Sequence, residues 1–173
     1  MKAKSIKKKR KSRQIEIITI VIHLMICAFL WICYSNNLFE PEKIKHWTSS
    51  YFLMLPLFLI GIQFRNLRNI KYFIFWTIIG FGQLFVFLIE KDNLDFKYFN
   101  GTGLDGLKAL LPVLILFQIL RQISLKAYKR EMIISIRQYR MTLYEEEEKR
   151  NMTWIEVFFS IILFLSAIVF NVI

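Results

Sequence analysis

Five apolar runs, separated by charged segments, limit what this chain can form. Each run is close to the length of about 17–25 residues that crosses a bilayer as a helix. Lipid offers the backbone no hydrogen-bonding partner, so such runs are expected to be helical. The sequence therefore predicts an all-α fold, a polytopic integral membrane protein with a bundle of about five transmembrane helices. The runs span residues 15–34, 48–64, 72–89, 104–120 and 154–173.

The composition agrees with a membrane protein. The chain is 55% hydrophobic, whereas soluble domains average about 45–50%. The first run follows a basic tail at residues 1–14, an arrangement that also occurs in signal peptides. However, it is longer than the apolar core of about 7–15 residues in a signal peptide, and no A-x-A-like cleavage site follows it. We expect this run to be retained as the first of four membrane helices within residues 15–120.

The distribution of basic residues predicts the orientation. If the runs alternate in direction, residues 1–14, 65–71 and 121–150 lie on one side of the membrane. That side carries 19 of the 24 lysine and arginine residues, and the other side carries five. The positive-inside rule places the basic side in the cytoplasm, so the N-terminus is predicted inside and the C-terminus outside. The predicted location is the plasma membrane, which in a bacterium is the inner membrane.

The long polar segment at residues 121–153 interrupts the apolar runs. Its apolar positions recur every three or four residues, which predicts one cytoplasmic amphipathic helix, followed by an acidic run at 145–148. The apolar stripe is Leu125, Tyr128, Met132, Ile136, Tyr139 and Leu143. The basic flank beside it is Lys126, Lys129, Arg130, Arg137 and Arg140. Three possibilities remain open: the helix lies on the membrane with these cations at lipid headgroups, its stripe packs on protein, or the segment forms no stable helix.

The net charge of +11 would indicate nucleic acid as the partner of a soluble protein. Here the cations flank membrane helices, so the predicted partner is a bilayer with anionic headgroups and no nucleic acid is expected. We also expect a protein partner, or a second copy of this chain, within the membrane.

A cation near the start of the fourth run is the candidate polar site inside the membrane. Lys108 lies one turn after Asp105, and Pro112 follows four residues later. The proline ring crowds the carbonyl of Lys108 and frees that group from the helix ladder. Ionisable groups inside a membrane are functional candidates. The alternative is that Lys108 extends outward or pairs with Glu90 or Asp105.

The remaining polar positions in the runs favour structural roles. Thr153 and Glu156 fit a capping box at the start of the fifth run. His23 and Cys27 share a helix face, but two ligands are too few for a metal site. An interhelical hydrogen bond or an interior packing role is expected instead. Gln63, Gln83 and Gln118 are expected to join helices. The sequence predicts no catalytic, cofactor-binding or metal residues.

These observations favour a non-catalytic accessory or scaffold subunit of a membrane assembly, with the segment at 121–153 as its docking surface. The alternative is a small transporter or channel component with a site near Lys108 and Pro112. A membrane-embedded enzyme is disfavoured, because no general base and nucleophile occur together.

Overall fold

The structure, a computed structural model, describes residues 2–91, 97–98, 101–102, 104–134 and 153–172. Helices account for most of these residues. They are α1 (Lys2–Ser35), α2 (Pro41–Gly61), α3 (Phe64–Leu67), α4 (Ile70–Glu90), α5 (Asp105–Tyr128) and α6 (Trp154–Val172). A two-residue antiparallel ladder, β1 (Lys97–Tyr98) with β2 (Gly101–Thr102), lies between α4 and α5.

Three of these helices are long and apolar enough to cross a membrane. They are Gln14–Ser35 within α1, Ile70–Glu90 and Asp105–Tyr128, and Trp154–Phe170 is a shorter apolar helix. The helical fold is therefore confirmed, and the apolar helices indicate a membrane location. Fewer helices meet this criterion than the five runs predicted from the sequence. The predicted run at 48–64 belongs to α2, which starts seven residues earlier at Pro41 and includes the charged Glu42, Lys43 and Lys45.

Helix α5 is the centre of the bundle and packs against α2, α4 and α6. Leu110, Leu114 and Phe117 on α5 are fully buried, and the helix continues through Pro112. Close packing with α2 depends on Gly106. A Cβ at that position would lie 2.8 Å from the carbonyl carbon of Phe52, closer than real side chains approach a backbone. The glycine therefore lets two helix backbones meet.

Long helices that follow one another along the chain, α2, α4 and α5, alternate in direction. Gly106 packs on Phe52 and the Gln118 amide donates to the carbonyl of Leu67 at 3.4 Å, so α5 runs parallel to α2. Helix α4 is antiparallel to α5, since Lys108 lies over the ring of Phe87. The α3 turn, the end of α5 and the start of α6 therefore meet at one end of the bundle, which we call the basic end. The start of α2, the end of α4 and the start of α5 lie at the opposite end.

The prediction of one amphipathic helix beginning at residue 121 is wrong for the described part of that segment. Helix α5 continues to Tyr128, beyond the predicted end at 120. Lys129 then adopts a left-handed conformation with φ 51°, and residues 131–134 are not helical. Residues 131–133 instead form contacts with the α3–α4 turn, α5 and α6, and these contacts hold them out of a helical conformation. The predicted stripe positions beyond 134, together with Arg137 and Arg140, lie outside the described residues.

Candidate functional site

At the basic end, the chain turns back on α5 through residues 129–134, which we call the connector. A residue with positive φ just after a helix is a common way to end it, and Lys129 occupies that position with φ 51°. The turn brings the carbonyl of Arg130 to the hydroxyl of Ser124, which donates to it at 3.0 Å. The chain therefore folds against the last turns of α5 instead of extending away from the bundle.

Glu131 is the charged centre of the connector. Arg121 donates to both of its carboxylate oxygens, from Nε to Oε2 at 2.9 Å and from Nη2 to Oε1 at 2.7 Å. Nε of Arg68 lies 3.9 Å from Oε2. The hydrogen bonds from Arg121 lower the pKa of Glu131 below its ordinary value, although partial burial opposes this shift. Two-pronged pairing of this kind is the strongest ion-pair geometry available to arginine, so the carboxylate is held ionised and in place.

Arg68 joins the connector to the α3–α4 turn. Its guanidinium donates to the carbonyl of Met132 and lies 5.3 Å from the centre of the Phe64 ring. The side chains of Met132 and Ile134 are buried in the core. The connector is therefore held by charge pairs on one side and by apolar contacts on the other.

Glu156 at the start of α6 completes the site. It forms the predicted capping box: the Thr153 amide donates to Glu156 Oε2 at 2.9 Å, and the Glu156 amide donates to Thr153 Oγ1 at 3.4 Å. The amide of Ile133 also donates to Glu156 Oε1, at 3.1 Å. One carboxylate thus caps α6 and binds the connector, which explains why this charged side chain is 4% exposed.

The predicted headgroup contacts lie on the outside of this arrangement. Lys126, Lys129 and Arg130 are exposed, as is Lys71 at the start of α4. Contact with lipid stays a prediction for Lys126, Lys129 and Arg130, and Arg137 and Arg140 are outside the described part of the chain.

At the opposite end, Lys108 has two neighbours. Its ammonium lies 2.9 Å from Asp105 Oδ1 and 5.3 Å from the centre of the Phe87 ring. Of the two predicted carboxylates, Asp105 is the one that the ammonium reaches, while Glu90 is half-buried at the end of α4. The pairing alternative to a ligand site at Lys108 therefore has direct geometric support.

The cluster formed by Arg68, Arg121 and Glu131 was not predicted from the sequence. The segments at 65–71 and 121–150 stand out in the sequence only as basic regions beside the membrane. The only hint in the sequence is that Glu131 is an acidic residue surrounded along the chain by lysine and arginine residues. This does not identify which of them it pairs with. The structure describes no group of three or more histidine, cysteine or acidic residues that could hold a metal ion. Comparisons of the chain with protein-family models, curated proteins and solved structures find no match.

Proposed function

We propose that this protein is a non-catalytic accessory or scaffold subunit of a membrane assembly, with α1, α2, α4, α5 and α6 crossing the bilayer. The observation that carries the proposal is the connector, which forms a fixed, cation-bearing surface at the basic end. The orientation follows the 19-to-5 division of basic residues, which favours a cytoplasmic basic end and N-terminus in the plasma membrane.

The charges at the basic end divide into two sets with different uses. Arg121, Arg68, Glu131 and Glu156 bind one another or the connector backbone. Lys126, Lys129 and Arg130 are exposed. A surface whose shape is fixed before binding loses less conformational freedom when a partner docks. The inner set therefore suits a structural role, and the exposed set suits recognition of a negatively charged surface.

The anionic leaflet is the nearest such surface. Cations just beyond a membrane helix attract anionic headgroups, with about 1 kcal/mol for each lysine or arginine. In this proposal Lys126, Lys129 and Arg130 hold anionic lipid around the basic end. A protein partner within the assembly docks beside them.

Pull-down of the tagged protein from a mild detergent tests the scaffold role. We expect stoichiometric co-purification of at least one other membrane protein. A variant with Lys126→Gln, Lys129→Asn and Arg130→Gln should recover less of that partner, and asparagine is chosen because it tolerates a left-handed conformation. The matched control is Lys43→Gln with Lys91→Gln, two exposed cations at the opposite end. Recovery of this chain alone, in wild type and both variants, would contradict the proposal.

Native mass spectrometry of the purified protein tests the lipid component separately. The wild type and the control variant should retain anionic phospholipid after detergent exchange. The triple variant should lose about 3 kcal/mol of binding, the sum over three cations. Equal retention of anionic and zwitterionic lipid by the wild type would rule out the electrostatic attraction.

A further inference from the structure

A second buried polar cluster, independent of the basic end, joins α1, α2 and α4 around His23. The His23 side chain is 3% exposed, and Trp76 and Gln83 on α4 are also buried. The imidazole stacks on Tyr51 with ring centres 5.8 Å apart and lies 5.2 Å from Trp76. Because α1 and α4 are both apolar enough to cross a membrane, this cluster lies among apolar segments, where each polar group needs a partner.

Both nitrogens of the His23 ring have a partner on another helix. Nδ1 lies 2.7 Å from the Tyr51 hydroxyl on α2. Nε2 lies 3.3 Å from the Gln83 side-chain amide on α4 and 3.6 Å from Sγ of Cys27 on α1 itself. The interhelical hydrogen bond expected for His23 is therefore confirmed. The ring makes one such bond to α2 and one to α4.

Two neutral arrangements of the ring fit these distances. In one, the Gln83 amide nitrogen donates to Nε2 and Nδ1 donates to the Tyr51 hydroxyl. In the other, the Gln83 amide is turned by 180°, so that its oxygen accepts from Nε2 while the Tyr51 hydroxyl donates to Nδ1. In each arrangement one ring nitrogen bonds α2 and the other bonds α4, so the interhelical contacts do not depend on which nitrogen carries the proton.

Little of the membrane-length part of helix α1 is buried in the bundle. Only 17% of the residues in its most apolar stretch are buried. Large side chains such as Met25 and Trp31 face outward. One turn before His23, the hydroxyl of Thr19 accepts a hydrogen bond from the Gln63 amide at 3.2 Å. Apolar packing against lipid and against protein differ little in free energy, so polar contacts decide how a membrane helix sits against its neighbours.

We infer that His23 is the positioning residue that fixes the rotation and register of α1 against α2 and α4. Its two interhelical bonds specify one docking position, which apolar contacts alone do not select. Removing them lets α1 turn or slide while the α2–α4–α5–α6 packing persists.

Crosslinking of α1 to α2 tests the positioning role. Cysteines at Thr19 and Gln63, in a chain with Cys27→Ala and Cys33→Ala, should be joined efficiently by a short thiol crosslinker. One interhelical hydrogen bond in a membrane protein shifts an equilibrium about threefold. We therefore expect Gln83→Leu to lower the ratio of docked to undocked α1 about threefold and His23→Phe about tenfold. The matched control is His46→Phe, the other histidine, which is exposed. Unchanged crosslinking in folded His23→Phe and Gln83→Leu would overturn the inference.

Nitrogen NMR tests the interhelical contact of the ring separately. The chain has two histidines, so a His46→Gln variant labelled with ¹⁵N-histidine reports on His23 alone. We expect Gln83→Leu to shift the Nε2 signal, because this substitution removes the partner of that nitrogen on α4. An unchanged Nε2 signal in the folded variant would overturn the inference.

Discussion

Replacing Glu131 by glutamine tests whether the connector is held by charge. The change keeps the size of the side chain but leaves the guanidinium groups of Arg121 and Arg68 without their carboxylate. Hydrogen bonds to charged groups contribute about 1.5–3 kcal/mol, whereas exposed ion pairs contribute about 0–1 kcal/mol. The Glu131 side chain is 36% exposed and that of Arg121 is 16% exposed. The contribution of this pair to stability should therefore lie between the values for charged hydrogen bonds and for exposed ion pairs. We expect Glu131→Gln to lower the free energy of unfolding by about 1–2 kcal/mol.

Equilibrium unfolding in mixed detergent micelles, followed by tryptophan fluorescence, measures this loss. The matched control is Glu40→Gln at the opposite end, because Glu40 pairs with Lys43 at 3.0 Å but both side chains are mostly exposed. The control should change stability by no more than about 0.5 kcal/mol. Equal, small effects of the two substitutions would refute the idea that the charge pair holds the connector.

The same pair predicts a dependence on pH. Folding lowers the pKa of Glu131, so its contribution to stability is present above the ordinary glutamate pKa. It is lost as the pH falls below that value and through the lowered pKa of the folded state. The wild type should therefore lose more stability on acidification than Glu131→Gln does, and parallel pH profiles of the two proteins would contradict this.

Three further substitutions test the packing. Gly106→Ala should cost about 1–3 kcal/mol, since the added methyl meets the α2 backbone; Gly82→Ala, in open space, should be neutral or stabilising in the same unfolding assay. Lys108→Met should cost about 1–3 kcal/mol by removing the ammonium that lies 2.9 Å from Asp105, and Asp105→Asn should restore stability; failure of rescue would favour a functional role for Lys108. Lys129→Gly should stabilise the protein by a few tenths of a kcal/mol, because glycine adopts positive φ without strain, and a loss of stability would contradict this account of the turn.

Local patterns in the sequence predicted several structural features well. The spacing of Thr153 and Glu156 predicted a cap that the structure forms. The spacing of Asp105 and Lys108 allowed the pair that is observed. These features depend on residues within one helical turn, where the geometry of a helix decides which side chains meet.

The connector could not be predicted in this way. Met132 lies four residues after Tyr128 and fits a continuing helical stripe. However, Met132 and Ile134 are both buried, which is the alternation of an extended segment. A short apolar pattern is compatible with both conformations. The choice is made by the contacts of Glu131 with Arg121 and Arg68, and distant pairings of this kind leave no periodic signal.

The partners of His23 could not be predicted from the sequence either, because they lie far from it along the chain. The sequence indicated that His23 needs an interhelical partner, because a lone polar side chain in an apolar run is costly. It did not indicate Tyr51 and Gln83, which are brought to the ring by the packing of two other helices.

Cysteine accessibility tests the central claim, that the basic end faces the cytoplasm, most directly. In a chain with Cys27→Ala and Cys33→Ala, single cysteines at Lys71 and Lys126 report on the basic end, and those at Lys43 and Lys91 report on the opposite end. All four positions are exposed. With an impermeant thiol reagent on intact cells, we predict labelling at Lys43 and Lys91, and labelling at Lys71 and Lys126 only after permeabilisation. Labelling of Lys126 from outside would contradict the proposed orientation and the role of the basic end at the cytoplasmic leaflet.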